Sequence, residues 1–124
     1  MKHILVIDDA ATVRMYHRSI LEASNYTVDE AINGMEALEK ALRGSYALYL
    51  VDVNMPKLDG YSFIRQLRSH ADIPQAPAIM VSTEAKLSDQ EKAFEAGANF
   101  YLIKPIRPET LLAHVRLLLG EASE

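Results

Sequence analysis

Four short apolar runs constrain this chain more than any other feature, because each stops at a residue with chemistry to offer. Residues 4–7 end at Asp8-Asp9, 48–51 at Asp52, 78–81 at Ser82-Thr83 and 101–103 at Lys104-Pro105. Uninterrupted apolar runs of this length read as strands buried on both faces, the pattern of a parallel sheet. Strands of such a sheet all point one way, and ligands bind beyond their carboxyl ends. Three carboxylates, a hydroxyl and an ammonium therefore converge on one sheet edge, a set able to hold a divalent cation and a phosphoryl group.

The segments between these runs carry helical periodicity. Val13, Tyr16, Ile20 and Leu21 keep helical spacing until Asn25-Tyr26 interrupts it. Residues 27–31 then alternate like a strand, with a weaker apolar signal suited to a sheet edge. Asn33-Gly34 reads as a turn before a second helical stripe of Met35, Leu38 and Leu42, closed by Gly44. Asn54-Met55-Pro56 and Leu58-Asp59-Gly60 form a loop opening a third helix through Phe63, Ile64 and Leu67. A Pro-rich stretch over 73–77 leads into the fourth strand. A fourth helix is expected over about 88–96, with Gly97 as its C-terminal cap. Residues 100–103 form the fifth strand, and Pro108 opens a last helix carrying Leu111, Leu112, Val115, Leu118 and Leu119. Five β/α units imply an α/β fold, with right-handed crossovers and helices on both faces of a parallel sheet.

Length and charge exclude several classes. The 124 residues suit one domain, taken here as 1–124. A net charge of −4 offers no basic footprint, so no nucleic-acid contact is expected. Without cysteine there is no disulfide or thiolate metal site, and the expected location is cytoplasmic. The first apolar stretch is far too short for a signal peptide or a membrane span, so no membrane association is expected.

The acids carry the functional signal. Taken singly, Asp9 reads as a cap on the first helix and Asp52 as a cap or a solvated loop residue. Taken together at neighbouring strand ends, their like charges need a cation to offset them, and hard carboxylate oxygens suit Mg²⁺. Lys104 could extend along the surface to solvent. From the same edge, it is instead expected to pair with the acids or a bound anion. The X-Pro bond after it can adopt the cis form. With the Ser82 hydroxyl, these are the parts of an aspartyl-phosphate site.

Asp8-Asp9, Asp52-Val53-Asn54-Met55-Pro56, Asp59-Gly60, Ser82-Thr83-Glu84-Ala85 and Lys104-Pro105 together resemble the receiver domain of two-component response regulators. The match runs in order over essentially the whole chain. The resemblance implies a flavodoxin-like, doubly wound sheet of strand order 2-1-3-4-5 with five helices. It implies Asp52 as phosphoacceptor, with Lys104 on the phosphoryl oxygens and Ser82 swinging toward them. Mg²⁺ would be held by Asp9, Asp52 and the main-chain carbonyl of Asn54, with Asp8 acting mostly through water. Tyr101 would change rotamer in step with Ser82. The chain departs from the family at Ala11, where a serine often caps the first helix, and at Ile106, where Phe is common. Ser82 replaces the commoner Thr.

Asn54 and Glu84 match the chemotaxis (CheY-like) branch, where these positions flank the path of the hydrolytic water; both also read as plain solvated loop residues. Glu84, Tyr101, Ile106, His114 and Leu117 are the expected switch and partner-facing positions. The fourth helix is weakly amphipathic, since Gln90 and Glu91 interrupt the spacing between Leu87 and Phe94, which suits a moving part. His3, His17, His70 and His114 lack metal-ligand spacing and are expected at the surface. Met15, Met35 and Met80 are expected to fill the core.

The resulting expectation is a phosphorylation switch rather than an enzyme in the ordinary sense. It takes its phosphoryl group from a histidine kinase and signals to a target such as a flagellar motor switch component. The alternative is a receiver cut from a larger regulator with a DNA-binding or enzymatic output domain. A haloacid-dehalogenase-type phosphatase needs an Asp-x-Asp-Gly-Thr-like start, which Asp8-Asp9-Ala10-Ala11-Thr12 is not. A flavin carrier of this fold needs a Ser/Thr/Gly-rich first loop, absent here. A scaffold-only pseudo-receiver sits badly with the complete acid set.

Overall fold

The computed structural model describes residues 2–121; Met1 and residues 122–124, which the domain expectation includes, lie outside the described residues. The chain alternates strictly: β1 His3–Ile7, α1 Ala11–Ala23, β2 Thr27–Ala31, α2 Gly34–Arg43, β3 Leu48–Asp52, α3 Gly60–Ser69, β4 Ala78–Ser82, α4 Leu87–Ala96, β5 Phe100–Ile103, α5 Pro108–Leu118. All strand pairs are parallel, in the order β2-β1-β3-β4-β5. This is the expected doubly wound arrangement.

Period-2 alternation divides the central strands between two cores. Leu5, Ile7, Tyr49, Val51, Ala78 and Met80 pack with Ala37, Ala41, Phe63, Ile64, Leu67, Ala93 and Ala96 from α2, α3 and α4. Ile4, Val6, Leu48, Leu50, Ile79 and Val81 pack with Leu21, Leu111 and Val115 from α1 and α5. Because both faces are covered, β1, β3 and β4 read as continuous apolar runs. The edge strands β2 and β5 are only partly buried.

Helix ends follow local chemistry. Asn33 accepts from the Glu36 N–H at 2.9 Å, and the Glu36 carboxylate accepts from the Ile32 N–H at 2.8 Å. Asn33-Gly34 is thus the capped start of α2 rather than a separate turn. Asp59 caps α3 by accepting from the Ser62 N–H at 2.8 Å. Gly97 ends α4 at φ 115°, the left-handed C-terminal cap expected of it. The simpler reading of Asp9 as a cap fails: Ala10 is the N-cap of α1, with no side-chain cap.

Several burial expectations are corrected. His17 is only 2% exposed, because it lies four residues from both Val13 and Leu21 on the sheet-facing side of α1. Burial lowers its pKa; Asp8 opposes and Lys104 reinforces that shift. Met15 is 64% exposed and Met35 also faces outward, leaving only Met80 of the three in the core. On α2 the buried positions are Ala37 and Ala41, and Leu42 points outward with Met35. Two alanines let α2 approach the sheet closely, so the larger side chains flanking that face stay outside.

Candidate functional site

The carboxyl ends of β1, β3, β4 and β5 come together as the run endings require. Asp8 follows β1, and its N–H still donates to the Ala31 carbonyl at 3.1 Å. Its carboxylate is almost wholly used inside the protein: Oδ1 accepts from the Ala10 N–H at 2.9 Å and Oδ2 from the Lys104 ammonium at 2.7 Å. Asp52, the last residue of β3, is 6% exposed, and its Oδ1 accepts from Lys104 Nζ at 3.0 Å. Asp9 is exposed, and among the described residues no group donates to its carboxylate.

Ligand atoms of Asp8, Asp9 and Asp52 all lie within 4.8 Å of one another. Three carboxylates face a single ammonium, so two negative charges remain uncompensated when all three are ionised. Burial pushes the Asp52 carboxyl above its usual pKa; Lys104 opposes this, and the charges of Asp8 and Asp9 add to it. Burial alone would lower the Lys104 pKa, but its hydrogen bonds to Asp8 and Asp52 outweigh that and raise it. An all-oxygen set with excess negative charge fits a hard divalent cation such as Mg²⁺. Asn54 lies two residues beyond Asp52, exposed in the β3–α3 loop.

Gly60 makes this edge compact. Its N–H donates to the Val53 carbonyl at 2.9 Å. A Cβ there would lie 2.2 Å from the Asp52 main-chain oxygen, so only glycine lets α3 begin this close to the acid.

On the other side, Ser82 ends β4 buried, and its Oγ accepts from the Glu84 N–H at 3.0 Å. The Tyr101 hydroxyl donates to the Glu84 carbonyl at 2.7 Å, so one exposed peptide segment is held by both Ser82 and Tyr101. The Lys104 N–H donates to the Ser82 carbonyl at 2.8 Å, tying the lysine backbone to the same strand end. The Lys104–Pro105 bond is cis.

The expected partner-facing residues divide. Leu117 is 68% exposed. His114 is half-buried, its ring edge-on to Phe100 at 4.7 Å. Ile106 is buried, contrary to expectation, because its side chain joins the α1/α5 core with Leu111 and Val115. Only its carbonyl is offered outward, accepting from the Tyr16 hydroxyl at 3.0 Å.

Two residues at this edge escape sequence reasoning. Arg14 donates from Nη1 to the Asp8 carbonyl at 2.8 Å. His17 lines a largely apolar cavity of about 370 Å³ beside Lys104, together with Val13, Tyr16 and Ile106. The helical spacing of His17 with Val13 and Leu21 was a usable signal. For Arg14, an isolated arginine early in a helix carries none.

Known proteins show the same architecture. The family model for the response regulator receiver domain matches residues 4–116. The transcriptional regulatory protein ResD of Bacillus subtilis is 40% identical over 121 residues, covering 98% of this chain and 49% of ResD. The transcriptional regulatory protein SrrA of Staphylococcus aureus is 34% identical over 116 residues, covering 94% of this chain and 47% of SrrA. The chain thus spans about half the length of these curated relatives. Among solved structures, the chemotaxis protein CheY4 of Vibrio cholerae matches with TM-score 0.90 and 32% identity, over 96% of this chain and 99% of CheY4. A CheY-like receiver domain protein of Methanospirillum hungatei matches with TM-score 0.88 and 30% identity, over 97% and 94% of the two chains. With a family match spanning nearly every element and the acids gathered at the strand ends, the chain belongs to the response regulator receiver domain family.

Proposed function

We propose that this receiver takes a phosphoryl group from a histidine-kinase phosphohistidine onto Asp52 and passes the change to a partner through Ser82, Lys104 and Tyr101. The observation that carries this reading is the buried Asp52 carboxylate held at 3.0 Å from Lys104, beside two further acids. An Asp52 oxygen forms the bond to phosphorus as the N–P bond of the donor breaks, and that electron pair returns to the imidazole. Held by Asp9, Asp52 and the Asn54 carbonyl, with Asp8 through water, Mg²⁺ would supply charge against the phosphoryl oxygens. Asp8 suits the indirect role because Lys104 and the Ala10 N–H already occupy its oxygens. Lys104 turns from Asp52 toward the new phosphoryl group. Ser82 exchanges its bond with the Glu84 N–H for one to the phosphoryl group, which loosens the segment that Tyr101 holds. Acetyl phosphate with Mg²⁺ is expected to add one base-labile phosphoryl group, located by peptide mapping to Asp52. Labelling elsewhere would refute the reading.

ResD and SrrA favour a gene-regulatory output over the chemotaxis one, so a DNA-binding output replaces the flagellar motor switch as the first expectation. The chemotaxis reading keeps the support of the CheY4 likeness and of Asn54 and Glu84. Among the described residues no helix is long and apolar enough to cross a membrane.

Phosphate lifetime separates the two outputs. Exposed Asn54 and Glu84 leave room for in-line water, so a chemotaxis-like receiver should lose its label quickly. Glu84→Leu and Asn54→Arg should each slow decay severalfold in excess Mg²⁺, with thermal stability unchanged. Slow wild-type decay, indifferent to both substitutions, would leave the gene-regulatory reading alone.

Lys104→Ala should still accept phosphate but couple poorly to partner binding. It also leaves Asp8 and Asp52 buried without a counter-charge. Thermal unfolding in chelator should show a loss of roughly 3 kcal/mol, partly recovered on adding Mg²⁺.

A further inference from the structure

We propose that Arg14 is a positioning residue for the acid site: it fixes the peptide joining Asp8 to Asp9 and so sets how tightly the acids take a divalent cation. The inference rests on the reading of the acid site given above and adds a residue from outside the acid set.

The β1–β2 register ends at Ile7 opposite Ala31, and the last bond along this edge is from the Asp8 N–H to the Ala31 carbonyl. Two residues further, Asn33 already serves as the N-cap of α2, so β2 has turned away. The Asp8 carbonyl lies past the ladder and needs a donor from elsewhere. Arg14 supplies it from Nη1 at 2.8 Å. The same guanidinium donates from Nε to Glu30 on β2 at 2.8 Å, and the other Glu30 oxygen accepts from Arg18 at 2.8 Å. Largely buried and engaged on two sides, the Arg14 fork has one orientation available.

The Asp8 carbonyl and the Asp9 N–H belong to one peptide. Rotating it would swing the direction in which Asp9 projects. Asp8 has its own anchors in Lys104 and the Ala10 N–H, whereas the exposed Asp9 carboxylate depends on its backbone for its place near Asp52. Arg14 is thus the link from β2 to the acid free to bind a cation. Glu30 matches its charge, so its effect comes through geometry rather than through added positive field.

The test is calorimetric Mg²⁺ titration of the wild type, Arg14→Ala, Arg14→Lys and Glu30→Gln. It is paired with thermal unfolding in chelator and with acetyl phosphate labelling across Mg²⁺ concentrations. Arg14→Ala should weaken Mg²⁺ binding about tenfold, the usual scale for an outer-shell support. The Mg²⁺ needed for half-maximal labelling should rise in step, while the rate at saturating Mg²⁺ stays near the wild-type value. A merely structural role would lower that saturating rate instead. Arg14→Lys should fall in between, since a single ammonium cannot span both acceptors as the fork does. Glu30→Gln keeps the shape while loosening Arg14; it should weaken binding less than Arg14→Ala, and it decides the matter if Arg14→Ala does not fold. A folded Arg14→Ala or Glu30→Gln protein that binds Mg²⁺ as tightly as wild type would overturn the role of Arg14 alone. Failure of the wild type to bind Mg²⁺ would overturn both this inference and the reading of the acid site.

Discussion

Asp52→Asn is expected to abolish phosphoryl transfer to the protein, from acetyl phosphate and from a phosphorylated histidine kinase alike. The amide keeps the shape of the side chain but presents no anionic oxygen to phosphorus, and Asp8, the other buried acid on Lys104, has both oxygens engaged by Lys104 and the Ala10 N–H. The loss is interpretable because the substitution should not unfold the protein. The Asp52 pKa is raised: burial, with Asp8 and Asp9, outweighs the pull of Lys104. A carboxyl whose folded pKa lies above its unfolded one weighs on the fold once ionised. That penalty is absent below the unfolded pKa, grows as pH rises through the folded value and is complete at neutral pH. Without metal at neutral pH, Asp52→Asn should therefore melt no lower than wild type. Lys104→Ala, which removes the cation instead, should melt lower. Labelling of Asp52→Asn at the wild-type level would reject Asp52 as the acceptor.

Gly60→Ala should damage both the fold and the site, although in an ordinary helix the change is favourable by roughly 0.5–1 kcal/mol. The added Cβ would sit 2.2 Å from the Asp52 carbonyl oxygen and 3.0 Å from its carbonyl carbon, both backbone atoms that cannot turn aside. Either α3 lifts from the sheet or the end of β3 moves. The first loosens the packing of Phe63, Ile64 and Leu67, and the second displaces Asp52 from Lys104. The expected cost is about 3 kcal/mol, large among single substitutions, with a clear fall in labelling at Asp52. Gly44→Ala is the matched control: its Cβ would meet its nearest neighbour at an ordinary 3.5 Å. Denaturant unfolding of the two variants checks the difference. Equal, near-neutral values would show that β3 and α3 are not held as closely as the geometry requires.

The sheet and its reactive edge were legible because both are properties of the chain read locally. Runs buried on both faces leave no room for polar residues, so Asp8, Asp52 and Ser82 mark the points where β1, β3 and β4 leave the core, and Lys104 follows the partly buried edge strand β5. Parallel topology then puts those points on one side. Rotation about the axis was legible for α3, whose Phe63, Ile64 and Leu67 are all buried as spaced, but not for α2. Helical spacing defines a stripe but not which edge of it meets the sheet. Met15 and Met35 were therefore expected inside and lie outside; His17, expected outside for want of metal-ligand spacing, lies inside on the helical spacing it shares with Val13 and Leu21. The alanine pair on α2 decides that helix's orientation through closeness of approach, a quantity that exists only once the sheet is there to approach.

The same division holds at the site. The order of strands and helices, the carboxylates and ammonium at the strand ends, and the glycine and aspartate that start α3 are readable along the chain. Each follows from periodicity, run length or a local capping rule. Packing in three dimensions turns Ile106 into the core rather than toward a partner, and engages the Asp8 oxygens with Lys104 and Ala10 while Asp9 stays open. It also brings Arg14 back to the Asp8 carbonyl with Glu30 as its support. These contacts join residues of different elements. Their energies depend on distances of about 3 Å, which no spacing along the chain encodes.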